Sequence, residues 1–491
     1  MRKHPHLIQI NASFFLSRMR VKYGRALTLA TIPDDEWQVF KDLGFDWLWL
    51  MGIWTRSPSS RNHALHEETL KIAYERYLPG WTAEDVGGSP YAVYGYDPDP
   101  FLLGDSKALS QLRRKLSQMG LSLMLDFVPN HLAIDHPWTL SDPGLFVRPG
   151  RKTLKEHPDW FFKTPKGDWL AHGRDPYFSP WIDTVQVNFY SPETREALTK
   201  ELLRVAAVSD GVRCDMAMLG LNSIFEKVWG ECVRERKSHE EFWPPVIAAV
   251  KKEHPDFTFM AEVYWDLEWD LQQLGFDFTY DKKMYDRLKS APASDVGGHL
   301  LAEEAYQNRS VRFLENHDED RAVYTFGREK SQAAAAVTAT VPGLRFFQDG
   351  QLDGKRVRTP IHLRREAPDK IDYGLVDFYR MLLAYANTPA CHHGKWKFLA
   401  VQPVCEENIT YRNLIAWSWE TEEDWRLVVV NYSEYPSQCR VDARALLGKD
   451  KTVRIRDRRS GEIYKRDRDE LASLGLYIDL KAWHIHLFEP G

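Results

Sequence analysis

Long apolar runs are missing from this sequence. No stretch approaches the roughly 18 consecutive apolar residues that a membrane-spanning helix needs, so none is expected. The first residues, MRKHPHLIQINASFFLSRMR, begin basic, but Gln9 and Asn11 interrupt the apolar part, and the long apolar core of a signal peptide is absent. Cysteine is scarce. Cys214, Cys232, Cys391, Cys405 and Cys439 are odd in number and far apart, with neither metal-ligand spacing nor a disulfide framework. A reducing compartment fits that usage, and the expected location is cytoplasmic. There is no long basic run, the net charge is -5 and the pI is near 6.4, which argues against nucleic acid and anionic membrane as partners. Internal repeats and low-complexity tracts are also absent.

What is present is a long chain of ordinary globular composition. Its 491 residues exceed one compact core, so two or three domains are expected, one of which has room to be a barrel of about 250 residues. Hydrophobic residues make up 43% and charged residues 27%. Aromatics reach 13%, with 18 Trp. That fits large cores and equally fits clefts in which sugar rings stack on indole and phenol faces.

Strand and helix patterns alternate over the first ~390 residues. LIQIN, FDWLWL, LSLMLDFVPNH, DGVRCDMAML, FTFMAEVYW, FDFTYD, SVRFLENHD and GLRFFQDG read as eight strands. Between them lie helices such as IPDDEWQVFKDLG, with Pro33 and acids at its start and Gly44 past its end. GDSKALSQLRRKLSQMG places Leu109, Leu112, Leu116 and Met119 on one face. Eight such units predict an α/β fold closed into a (β/α)8 TIM barrel, with an open doubly wound sheet as the alternative. The third and fourth strands are too far apart for a simple crossover. The surplus, rich in Pro, Gly, Asp and aromatics, reads as an irregular insert over the barrel's carboxyl face. After about Pro389, NLIAWSWE, WRLVVVNYS, TVRIRD and HIHLFEP read as antiparallel strands of a C-terminal β-sandwich, with RRSGE as a turn. The predicted division is a barrel over 1–131 and 187–390, an insert over 132–186 and a β-sandwich over 391–491.

Four acids stand at carboxyl ends of predicted strands: Asp126, Asp215, Glu262 and Asp318. In a parallel barrel those ends meet at one mouth. Two strands run into an Asn-His pair, Asn130-His131 and Asn316-His317. Arg213 stands two residues before Asp215, and on a strand the two side chains share a face. An isolated R-x-D is ordinarily a structural ion pair. Beside a carboxylate that must stay ionised to act as a nucleophile, the guanidinium has a chemical role.

DFVPNH, GVRCDMAML, FMAEVYW and FLENHD resemble, in order, the four short motifs of the α-amylase family, glycoside hydrolase family 13, of retaining glycosidases and transglycosidases. QVNF, from Gln186 to Phe189, is similar to a fifth feature. The resemblance implies Asp215 as nucleophile, Glu262 as general acid/base and Asp318 as a third carboxylate gripping sugar hydroxyls. It implies Arg213, His131 and His317 as substrate-binding, Tyr96 of YGYDPDP as a stacking platform, and Asp97 as a partner for an outer hydroxyl. Asp126, Asn130 and Arg321 are implied as structural support. Asn130 also matches a calcium ligand of the family, although no oxygen shell can be assembled from the sequence. No cofactor is required by the implied chemistry, and the implied partner is an oligosaccharide.

One departure stands out. Where endo-acting members carry Lys-His after the nucleophile, this chain has Met218 and Leu219, which implies a more apolar acceptor side. Three functions are therefore carried forward: a retaining hydrolase of α-linked gluco-oligosaccharides, a transglycosidase or phosphorylase using the same glycosyl-enzyme, and a non-catalytic amylase-like binding protein. The presence of Asp215, Glu262 and Arg213 weighs against the last.

Overall fold

The computed structural model describes residues 2–24, 26–105, 107–233, 240–444 and 450–491. Eight parallel strands close into a barrel: β1 His6–Asn11, β2 Trp47–Met51, β3 Ser122–Phe127, β4 Gly211–Cys214, β5 Thr258–Ala261, β6 Phe278–Tyr280, β7 Ser310–Arg312 and β8 Leu344–Gln348. Each pairs with its sequence neighbours, and β8 returns to β1. All eight predicted strand segments take their places here. Their residues are mostly buried because a barrel strand is covered on both sides, by the barrel interior and by the outer helices, and polar Gln9, Asp126, Arg213, Arg312 and Arg345 interrupt the apolar runs. Trp47–Met51 is buried throughout. Helix Asp34–Asp42 lies where Pro33, the acids of its first turn and Gly44 predict it, and helix Pro192–Val208 precedes β4. The helix read from Leu109 onward spans Ala108–Gln118; Ser106, in its predicted lead-in, lies outside the described residues.

Register sets the level of the acids. Arg213 lies opposite Asp126 on β3 and Met260 on β5, and Cys214 lies opposite Phe127 and Ala261. One residue further on, Asp215 and Glu262 leave neighbouring strands side by side. Backbone bonds continue past the strand ends, from Asp215 N to Phe127 O at 2.8 Å and from Glu262 N to Cys214 O at 3.0 Å. The two carboxyl groups thus stand on rigid backbone.

Two excursions rise over this mouth. The expected one follows β3: His131–Ala133 pairs antiparallel with Thr184–Gln186, and a small hairpin joins Phe161–Lys163 to Trp169–Ala171. The other, absent from the predicted segments, follows β2. There Trp54–Arg56 pairs with Val93–Pro98, and helices Pro58–His66 and Glu68–Tyr77 lie between.

Beyond the barrel, a six-stranded antiparallel sheet and a three-stranded sheet stack against each other. Alternation along Leu414–Glu420 serves two cores. Leu414 and Ala416 face the three-stranded sheet, in a cluster with Cys439, Val441 and Ile478. Ile415, Trp417 and Trp419 face the barrel's cluster. The Trp419 indole donates to Thr340 O at 2.6 Å, so the junction is bonded as well as packed.

Candidate active site at the barrel mouth

At the centre of the mouth Arg213 is fully buried. Its guanidinium lies 5.2 Å from the ring centroids of Trp49 and Tyr91 and 5.8 Å from that of Tyr280. These aromatic faces hold a cation where few waters reach. One Arg213 nitrogen donates to Asp215 Oδ1 at 2.7 Å, and the other lies 2.8 Å from Glu262 Oε2. Asp126 stands 3.6 Å from the same guanidinium and accepts from Gly52 N at 3.2 Å. Glu262 has two further partners: Met216 N donates to Oε2 at 2.6 Å, and the Tyr264 hydroxyl donates to Oε1 at 2.8 Å. Met216 reaches that carboxyl because its own backbone turns left-handed, at φ 42°.

Burial sets the proton affinities. It raises Glu262 to about 7, against the pull of Arg213 and with help from the negative charge of Asp215 and Asp318. Burial also raises Asp215, but Arg213 draws it back through charge and a direct hydrogen bond, and a hydrogen bond with the Glu262 carboxyl does the same. Two carboxyl groups on one guanidinium, sharing a hydrogen bond, are arranged to hold one proton between them, and the environment favours Glu262 as its holder. Asp126 rises to about 7, again by burial.

Around this centre lies a cavity of about 720 Å³. His131 and His317 both face it. Burial lowers His131 to about 4 and keeps His317 well below the usual histidine range, so both rings are neutral near pH 7. Gln9 Nε2 lies 2.6 Å from His317 Nδ1, and the Tyr91 hydroxyl lies 2.7 Å from Nε2. With the Gln9 amide donating to Nδ1, Nε2 is the protonated nitrogen and points its hydrogen toward the cleft. Asp318 also lines the cavity, with a side chain 46% exposed and one oxygen 3.0 Å from His317 Nε2. Its loop is shaped by Asn316, whose side chain accepts from the backbone of Asp318 at 2.8 Å and Glu319 at 2.9 Å. Arg321 supports that loop from below, bonding Glu315 at 2.6 Å and Gln348 at 3.0 Å.

Three expectations are corrected. Tyr96 does not line the cleft. It is buried between Trp54 and Phe127, and its hydroxyl is engaged by the backbone N and O of Val128. The tyrosine at the cleft is Tyr91, stacked on His317 with ring centroids 5.2 Å apart. Asp97 lies away from the centre, 72% exposed, in an ion pair with Arg204 at 2.8 Å. Met218 and Leu219 are buried in the turn Ala217–Gly220, so Met216 is what the segment after Asp215 contributes to the cavity wall. The signal for Tyr91 was its place in GGSPYAV, but which of two tyrosines five residues apart faces inward depends on how the second excursion packs.

Asn130 pairs amide to amide with Gln186, whose Nε2 donates to Asn130 Oδ1 at 3.0 Å. Among the described residues no group of three or more His, Cys, Asp or Glu is arranged to hold a metal ion. The side-chain oxygen of Asn130 is thus already engaged by an amide hydrogen.

These placements give a direct comparison. Tyr91→Ala is expected to lower kcat/KM roughly 10- to 100-fold, because it removes both a stacking face and a partner of His317. Asp97→Asn is expected to stay within about twofold, since its partner is a solvent-exposed arginine. Steady-state kinetics on one substrate would check both, and a large Asp97 effect beside a small Tyr91 effect would reverse the correction.

A closed (β/α)8 barrel with carboxyl groups converging at its mouth defines a class of barrel enzymes that share this placement of the site. The family model for the alpha-amylase catalytic domain matches residues 35–357, and the chain belongs to that family. Alpha-amylase 3 of Dictyoglomus thermophilum is 24% identical over 351 residues, 68% of this chain and 61% of that protein. An alpha-1,4-glucan:maltose-1-phosphate maltosyltransferase of Cereibacter sphaeroides is 27% identical over 317 residues, 62% of this chain and 45% of that one. The chain spans about half the length of such curated relatives. A noncanonic maltogenic alpha-amylase from Thermotoga neapolitana has the same fold, with a TM-score of 0.66 at 19% identity over 99% of this chain and 98% of that one. No described helix is long and apolar enough to cross a membrane.

Proposed function

We propose that this chain is a retaining α-glycoside hydrolase acting on α-linked gluco-oligosaccharides. The observation that carries the reading is the pair of carboxyl groups on one buried guanidinium, with Glu262 held near 7. Arg213 occupies Asp215 Oδ1, so Oδ2 is the oxygen left to attack the anomeric carbon. As that bond forms, the glycosidic bond breaks, and Glu262 passes its proton to the departing oxygen. A covalent glycosyl ester on Asp215 results. Glu262, now ionised, takes a proton from water, whose oxygen displaces Asp215 and restores the anomeric configuration. Asp318 and the neutral His131 and His317 would hold hydroxyls of the reacting sugar.

Transfer of the same intermediate to a sugar acceptor is the second reading, favoured by the likeness to maltosyltransferases. Phosphate as acceptor, or on the donor, fits less well. Seven of the cavity-lining residues are Asp or Glu against one Lys, and a phosphate dianion would enter against that field. Chain-length-resolved products from maltoheptaose, with and without phosphate, test these alternatives. Only shorter sugars mean hydrolysis, longer ones mean transfer, and a sugar phosphate overturns the electrostatic argument.

The acid has a pH signature. Glu262 must carry its proton to donate it, and it loses that proton as pH rises through about 7. On the alkaline side kcat/KM is expected to fall about tenfold per pH unit above that value. A profile flat from about pH 6 to 8.5 would remove Glu262 from the role.

A further inference from the structure

A second cavity, of 490 Å³, opens beside the catalytic cleft. Asp266, Glu268, Trp269, Lys283, Arg287 and Leu301 line part of it. Along the chain the two cavities share three borders. Trp265 faces the cleft and Asp266 the groove, Lys282 the cleft and Lys283 the groove, Asp286 the cleft and Arg287 the groove. The helix Lys282–Ser290 is thus the wall between them. On the other border the chain turns sharply, with Trp265 and Asp266 both left-handed at φ 67° and 62°.

The lining has a definite chemistry. Trp269 is 41% exposed and Leu301 68% exposed, so an indole and an apolar edge face solvent at the groove. Charge is balanced, two carboxylates against two cations, and Lys283 already bonds Asp266 at 2.6 Å. Glu268 is only 5% exposed; its carboxyl bonds its own backbone N–H and stands near Lys283 and His299, and among the described residues no other side chain donates a hydrogen bond to it. A buried carboxylate with spare acceptor capacity calls for hydroxyl or amide donors. A flat indole beside it suits a ligand with an apolar face. Neutral overall charge argues against a phosphate or a polycation. A hydroxyl-rich neutral ring with C–H faces meets all three conditions.

We propose that this groove is an accessory saccharide-binding site, which holds part of a long α-glucan chain while another part lies in the catalytic cleft. The α-glucan class rests on the function proposed above; the groove itself does not. In it Trp269 stacks on a sugar ring and Glu268 accepts from sugar hydroxyls.

Native gel electrophoresis through amylose, dextran or mixed-linkage β-glucan tests binding apart from catalysis. The full chain would carry Asp215→Asn, so that the gel is not digested. Trp269→Ala is expected to weaken retention by amylose about three- to tenfold. Gly298→Gln is an independent block, because a Cβ at Gly298 meets nothing within 4 Å and the longer side chain projects into the groove. In chains that retain Asp215, both variants should turn over a short aryl maltotrioside within about twofold of the parent rate. Retention unchanged in both variants, retention by none of the polymers, or turnover falling in step with retention would each overturn the groove. Retention by β-glucan and not by amylose would overturn its assignment to α-glucans. A parent chain inactive on every α-glucoside would sink the catalytic reading while the gel shift still reports on the groove.

Discussion

Asp215→Asn should leave a folded protein that has lost turnover by roughly 10⁴-fold or more, because a neutral amide cannot form the covalent intermediate. The fold is expected to survive. Removing one partner of a buried ion pair is costly when it strands the other, but Arg213 keeps Glu262 at 2.8 Å and Asp126 at 3.6 Å. The substitution carries a second consequence. The charge on Asp215 helps to raise Glu262, so without it Glu262 should titrate lower. Thermal melting, single-turnover rates and the titration of Glu262 followed by carboxyl NMR would read all three. Turnover near the parent rate would end the assignment of Asp215 as nucleophile.

Replacing Glu262, the proposed proton donor, should be less severe and depend on the substrate. Glu262→Gln is expected to lower kcat by roughly 10²- to 10⁴-fold on substrates whose leaving group needs protonation, which is the range that general acid–base catalysis supplies. With an activated aryl leaving group the first step no longer needs the acid, so the deficit should shift to breakdown of the intermediate. There Glu262→Ala should be rescued by azide, a small anion that attacks without a general base and leaves an α-glycosyl azide. Absence of that product, with the intermediate shown to accumulate, would move the acid/base role to another residue. Tyr264 is the neighbour to examine, because its hydroxyl bonds Glu262 at 2.8 Å.

Much of the site was legible from residue order. Strand-end acids, the Arg213–Asp215 spacing and the two Asn-His pairs name groups that the barrel brings to one mouth, and the register shows how. Other groups were not legible. Gln9, Trp49, Tyr91 and Tyr280 come from four different segments, and no local pattern marks them as neighbours of Arg213 or His317. Tyr96 and Asp97 were expected at the cleft because they stand in a familiar stretch of loop. That loop belongs to an excursion whose pairing, with register shifts between Trp54 and Arg56, turns Tyr96 inward beneath Val128. Met218 and Leu219 were expected on the acceptor side, but a left-handed residue at Met216 sends the following turn into the core.

The amino-acid sequence by itself determined eight strand segments, the helices between them and which acids stand at or near strand ends. Those follow from periodicity and from the largely apolar character of strands buried on both faces. Only the tertiary structure decided which side chains face the cleft and which carboxyl keeps a proton near neutrality. Loop side chains point where packing against distant segments allows, and the proton affinity of Glu262 arises from burial by several of those segments acting together with one shared guanidinium.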